Sequence, residues 1–239
     1  MKPLLPTGAR RTNLPAMPSS RKSRPYVILN AAMSLDGKIA TRTGDSRISS
    51  LADFRRVHRL RASVDGIMVG MRTLLRDDPK LTVRFARGRR PHRIIVDSSA
   101  QTPLTSFVVR TAKEFPTIVA VTSRAPKNRI EILERRGVKV LVCGKGSLVS
   151  VKILLQTLGK LGIRKILLEG GGALNWSMLS SRLVDEVSVA ITPRILGGEK
   201  GVSLVEGKGV AQVKDAVKLK LLRTAKYGSD LVVHYKVQN

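Results

Sequence analysis

One cysteine, Cys143, stands in a chain of 239 residues. No disulfide can form within the chain, which suits a reducing compartment such as the cytoplasm. No cysteine-rich zinc site can be assembled either. The three histidines, His58, His92 and His234, lie far apart with no metal-binding spacing, so no metal is expected. Aromatic residues are only 3% of the chain. The core must therefore come from Val, Ile, Leu and Ala, and the aromatic platforms on which RNA-binding surfaces stack bases are largely missing. No apolar run approaches the roughly 20 residues needed to span a bilayer, and no apolar leader of secretory type is present. Acidic residues are scarce too: 17 Asp and Glu against 44 Lys and Arg, a formal net charge of +27. Such a surface attracts polyanions, whether nucleotides, phosphorylated metabolites or nucleic acid, and governs association rather than fold.

Residues 1–24 contain Pro, Ser and six basic residues, no acid and no apolar periodicity. The composition predicts a solvated, disordered tail, and it is also similar to an organellar transit peptide. The folded domain is expected over 25–239. Apolar runs predict buried strands at 26–29, 66–69, 93–96, 117–121, 138–142 and 165–168. Helices are expected between them. One is capped by Ser49 or Ser50 and runs to about 63, with Leu51, Phe54, Val57 and Leu60 as its apolar stripe. Others cover 128–136, closed by Gly137, and 150–161. Continuous apolar strands alternating with helices predict an α/β fold with a mostly parallel sheet covered on both faces. Segments 186–191, 219–225 and 231–236, with no helices between them, are expected as antiparallel strands at the sheet edge.

Three segments carry candidate chemistry. In the first, a buried strand runs through Leu167, Leu168 and Glu169 into Gly170, Gly171 and Gly172, then into a helix opening with Ala173, Leu174 and Asn175. Glycines let a backbone approach a phosphate, and a helix start supplies free N–H donors. Glu169 would sit at the carboxyl end of a parallel strand, where such sheets place ligands. A tight structural turn would explain the glycines equally well. In the second, Asp36 and Gly37 predict a turn that holds Lys38 near the end of the first strand, as a surface cation, a phosphate ligand or a proton-transfer group. In the third, Thr73 and Asp77 share one face of a short helix ended by Asp77, Asp78 and Pro79.

Together with Asn30 to Lys38, Asp45 to Ser49, Val57 to Ala62, Val64 to Gly70, Asp77 to Val83, Ile95 to Ser98 and Leu183 to Val187, these segments give the chain its family likeness. In order and spacing it resembles the reductase domain of riboflavin biosynthesis, which has a dihydrofolate-reductase-like fold, and most of all the stand-alone archaeal branch. The resemblance runs from about residue 25 to 237. It implies an NADPH-dependent oxidoreductase, with NADH as the alternative cofactor, and a homodimer. The implied reaction is hydride transfer to C1′ of 2,5-diamino-6-ribosylamino-4(3H)-pyrimidinone 5′-phosphate, giving the ribitylamine. It also implies roles by position: Ala32, Thr73, Asp77, Ser98, Gly171, Gly172, Ala173, Leu174 and Asn175 toward the cofactor; Ser46, Arg61, Leu81, Arg84 and Glu169 toward the substrate. Lys38 and Glu169 are the polar groups expected nearest the reacting carbon. Arg124, just past a strand, weakly favours a 2′-phosphate.

The basic tail and the high charge depart from the family pattern and bear on localisation rather than activity. Bifunctional relatives join this reductase to a zinc deaminase, which needs a His-x-Glu and a Pro-Cys-x-x-Cys segment. Neither is present, and residues before 25 are too few for that domain, so no deaminase activity is expected and reduction should precede deamination. A pterin or folate reductase on the same fold, and a basic nucleic-acid-binding protein, are the alternatives.

Overall fold

The structure, a computed structural model, describes residues 24–238. The tail expected over 1–24 lies outside them except for Arg24, whose guanidinium makes a two-point ion pair with Asp185 at 2.9 and 3.1 Å.

Eleven strands and six α-helices are formed among the described residues. In chain order they are β1 (Tyr26–Ser34), β2 (Lys38–Ala40), α1 (Leu51–Ala62), β3 (Gly66–Gly70), α2 (Met71–Asp77), β4 (His92–Val96), α3 (Phe107–Arg110) and β5 (Thr117–Val121). There follow α4 (Lys127–Arg135), β6 (Lys139–Val142), α5 (Val151–Lys160), β7 (Lys165–Leu168), α6 (Gly172–Ser180), β8 (Glu186–Thr192), β9 (Val202–Ser203), β10 (Lys218–Tyr227) and β11 (Asp230–Gln238). Nine strands make one sheet in the order β10-β11-β8-β1-β7-β3-β4-β5-β6, and β2 pairs with β9 in a small separate ladder. From β8 to β6 every neighbouring pair is parallel.

Alternation along each strand sends successive side chains to opposite faces and creates two cores. Val27, Leu29, Met68, Ile94 and Ala120 meet Leu154, Leu158 and Met178 of α5 and α6 on one face. Ile28, Ile67, Val69, Ile95 and Val119 meet Leu74, Val108 and Leu133 of α2, α3 and α4 on the other. Cys143 is buried in the first core, and burial pushes its thiol up to about 11.

The structure departs from expectation at several elements. β1 continues five residues past Leu29, because Asn30 to Ser34 pair in register with Ser188 to Thr192. β8 is parallel to β1, so the antiparallel ladders at that edge are those of β11 with β8 and with β10. The α1 stripe is also reversed. Ser50 caps the helix as foreseen, its hydroxyl accepting from the Asp53 N–H. Yet Asp53, Arg56 and His58 are the residues buried, while Leu51 is 61% exposed. The sheet beneath α1 carries a polar row, Asn30, Ser188 and His234, side by side across β1, β8 and β11. A polar row takes polar partners, so the helix turns its charged side inward.

Candidate active site

The carboxyl ends of β1, β3, β4 and β7 open on one edge of the sheet, the edge at which parallel α/β sheets bind ligands. Three hollows lie there. A groove of about 620 Å³ runs along the start of α6 and α2, past Ser98, Leu148 and Val149. A second hollow, of about 560 Å³, lies under the start of α1 between Asn30, Ala32, Arg47, Phe54, Arg61 and Glu169. A smaller one, of about 190 Å³, shares Thr73, Arg76 and Gly171 with the groove. It shares Ala32, Ser46, Arg61 and Glu169 with the second hollow. One continuous cleft thus has a long arm, a junction and a pocket.

The groove is framed by the glycine turn. Gly170 has φ +86°, a region L side chains avoid, and a Cβ there would press on the Asn175 amide. Gly171, at φ −51°, is needed for space instead: a Cβ there would meet Thr73 Oγ1 at 3.1 Å, with open groove elsewhere. The Gly171 N–H donates to Thr73 Oγ1 at 3.0 Å, which ties α2 to the turn. The first intrahelical bond of α6 is donated by Asn175 to the Gly171 carbonyl. The amides of Gly172, Ala173 and Leu174 therefore head a helix with no preceding carbonyl to receive them. Gly172, Ala173 and Leu174 line the groove with Arg72, with Arg76, whose guanidinium is paired with Asp77, with the carboxylate Glu206, and with apolar side chains of Val96, Leu148 and Val149. A helix start and cations beside apolar side chains suit a nucleotide carrying phosphates. The donor set fits a nicotinamide cofactor.

At the junction, Arg61 and Glu169 form a bidentate pair. Nε donates to Oε1 at 2.8 Å and Nη2 to Oε2 at 2.7 Å, while Nη1 donates to the Thr82 carbonyl at 3.3 Å. Burial works against the Arg61 cation, but the charge and hydrogen bonds of Glu169 outweigh it, and the guanidinium is held more firmly protonated than in water. Beside the pair, His58 is fully buried and accepts the Arg84 N–H at Nδ1. Burial, with the nearby Arg61 and Arg84 charges, pushes it down to about 4, so it is neutral at ordinary pH.

Most of the residues singled out in the sequence converge here. Ala32, Ser46, Arg61, Thr73, Asp77, Leu81, Glu169 and Gly171 line the junction, and Ser98, Gly172, Ala173 and Leu174 line the groove. Three do not. Lys38 lines none of the hollows; its ammonium donates to the Gly201 carbonyl and Ser203 Oγ, both at 3.2 Å, and ties β2 to β9. Asn175 turns its amide to the Leu204 carbonyl behind the turn. Arg84 is exposed, stacked over Phe54 and Phe85, and borders the second hollow only through Phe54. Conversely, Arg47, Ser49, Ser50, Leu51, Phe54 and Val57 line the second hollow. The α1 stripe was visible in the sequence, but its Leu51, Phe54 and Val57 face this hollow, and only Leu60 packs against the second core.

No helix among the described residues is long and apolar enough to cross a membrane. A family model described as the RibD C-terminal domain matches residues 25–233. The chain is 49% identical over 218 residues to a Methanothermobacter thermautotrophicus protein named 2,5-diamino-6-ribosylamino-4(3H)-pyrimidinone 5′-phosphate reductase, covering 90% of this chain and 99% of that one. An Aquifex aeolicus protein of the same name is 42% identical over 221 residues, covering 90% and 98%. Among solved structures, Acinetobacter baumannii RibD superposes with a TM-score of 0.77 at 27% identity over 90% of this chain. The chain spans 58% of that longer protein.

Proposed function

The chain belongs to the RibD C-terminal domain family, and on that footing we propose that it is the reductase of riboflavin biosynthesis acting on 2,5-diamino-6-ribosylamino-4(3H)-pyrimidinone 5′-phosphate, the substrate in the names of its near full-length relatives. The ring-opened ribosylamine presents a C1′–N double bond. Addition of a hydride to C1′ and a proton to nitrogen gives the ribitylamine. A bound nicotinamide cofactor, NADPH in this reading, supplies the hydride.

The chain's own residues account for the rest. The α6 amides and Arg72 and Arg76 bind phosphate in the groove, and the Thr73 tie fixes the turn that presents those amides. In the second hollow, Arg47 and Ser49, ahead of α1, match the 5′-phosphate, while the Ser50 N–H is already taken by the Asp230 carboxylate. Leu51, Phe54 and Val57 supply an apolar wall for the heterocycle. The carrying observation is the Arg61–Glu169 pair at the junction of cofactor groove and substrate hollow. Both Glu169 oxygens accept from Arg61, so Glu169 acts as a fixed anion rather than as an acid. An anion beside C1′–N favours the protonated, electrophilic imine that hydride attacks. Lys38, held on the β2–β9 ladder, is left a structural role.

We propose a homodimer as the working assembly, which the family resemblance implies, and the cytoplasm as its place, which a single cysteine suits. The test is NADPH oxidation by the purified protein with the diamino and the deaminated ribosylamino-pyrimidine phosphates, and with dihydrofolate as control. Turnover of the diamino compound with the highest kcat/KM supports the reading. Preference for dihydrofolate refutes it. Preference for the deaminated compound overturns only the proposed order of reduction before deamination.

A further inference from the structure

Beneath α1 lies a buried ion pair that the reaction does not use directly. Arg56 and Asp53, three residues apart, meet at 2.6 Å with side chains only 5% and 1% exposed. Asp53 Oδ2 is buried without a partner among the described residues. A buried pair that leaves one oxygen unsatisfied is a poor stabiliser, since desolvation offsets the attraction unless every polar atom is used. The pair does, however, impose an orientation.

Arg56 donates through Nη1 to Ser188 Oγ at 3.1 Å and through Nη2 to Asn30 Oδ1 at 2.9 Å. A guanidinium has donors and no acceptor. Asn30 must therefore turn its oxygen to Arg56 and its NH2 away from it. Asn30 lines the second hollow, and its Nδ2 has no hydrogen-bond partner among the described residues. In the β1–β7 register Leu29 pairs with Leu168, which brings Asn30 beside Glu169 one step further on. The amide donor and the carboxylate thus sit side by side at the substrate end of the cleft.

We propose that Asn30 is a specificity-determining residue that donates an N–H to an acceptor oxygen of the substrate, and that Arg56, braced by Asp53, is its positioning residue. The inference rests on the reductase reading and deepens it. Asp53 fixes Arg56, Arg56 fixes which end of Asn30 faces the hollow, and the hollow thereby requires an acceptor on the ligand. A ligand with a donor at that point would meet two opposed N–H groups.

Asn30→Asp tests this. It keeps the oxygen that Arg56 needs and replaces the donor with an acceptor. The substrate KM should rise at least about tenfold, the usual effect of leaving a buried polar partner unmet. The NADPH dissociation constant and the melting temperature should stay at parental values. Arg56→Met should raise KM in the same direction and Arg56→Lys should restore it. Asn30→Asp in the Arg56→Met background should add less than it does alone. A purely structural Arg56 would lower the melting temperature without moving KM, and that result overturns the positioning role. A parental KM in Asn30→Asp overturns the inference while the reductase reading stands. If Arg56→Met does not fold, Asn30→Asp decides alone. A wild-type protein inactive on the ribosylamino-pyrimidine phosphates overturns the reading and the inference together.

Discussion

Replacing Glu169 by Gln changes one oxygen for NH2 at almost constant volume, and its two consequences can be separated. In the parent both Arg61 donors end on the carboxylate, at 2.8 and 2.7 Å. Glutamine offers one acceptor and opposes the second donor with its own NH2. The Arg61 cation stays in a side chain only 13% exposed, with its counter-ion gone. Breaking a buried pair from one side costs about 3–5 kcal/mol. Both groups border an open hollow, and solvent screening there brings the expected loss nearer about 2 kcal/mol. For a domain of this size that is a fall in Tm of about 4–8 °C. Turnover should fall by about a hundredfold, as for loss of one fixed electrostatic contact to developing charge, while the NADPH dissociation constant holds. The assay is a thermal melt, a cofactor titration and steady-state kinetics on the same sample. Arg61→Met in the Glu169→Gln background should recover part of the melting temperature, because the orphaned charge is gone, but none of the turnover. A parental Tm in Glu169→Gln would refute the pair, and a parental kcat would remove Glu169 from the chemistry.

Gly171→Val should raise the NADPH dissociation constant at least about tenfold with little change in Tm, since φ −51° is open to any residue and the added methyls project into the groove; calorimetric titration with parental affinity would remove the turn from cofactor binding. Acid should destabilise the protein between pH 6.5 and about 4, the range over which unfolded but not folded His58 takes a proton. The contribution of His58 is complete above pH 6.5, is lost as pH falls through that window, and amounts to about 3 kcal/mol. Urea midpoints across pH should show the slope flattened in His58→Asn, whose Oδ1 can still receive the Arg84 N–H. Cys143, buried and pushed up to about 11, should react with thiol reagents at pH 8 only after unfolding; modification in the native state would mean that the first core opens.

How much of this was legible in the sequence depends on what each residue's role requires. The parallel strands could be read because a strand covered on both faces must be apolar throughout, as the Gly66–Gly70 and Thr117–Val121 strands are. Glu169 and the glycine turn could be read because a strand, three glycines and a helix form one local unit. Strand direction could not be read, because Glu186–Thr192 is as apolar in one direction as in the other, and only its register with β1 decides. The partners of Lys38 and Arg61 could not be read for a related reason: a cation's partner is a tertiary fact. Arg61 finds its carboxylate 108 residues away, and Lys38 finds its acceptors 163 and 165 residues away. The sharper failure is α1. Its apolar stripe obeys helical spacing, and spacing alone equates apolar with buried in the core. Here the stripe meets a ligand-sized hollow, while Asp53 and Arg56 go inward to the polar row of Asn30 and Ser188. A clue was present in the sequence: Asn30 interrupts an apolar strand, and Asp53 and Arg56 lie three apart on the opposite side of the next helix. A polar residue inside a buried strand implies a polar partner across from it. Pairing those two observations would have turned the helix the right way round and exposed its Leu51, Phe54 and Val57 face as the wall of the second hollow.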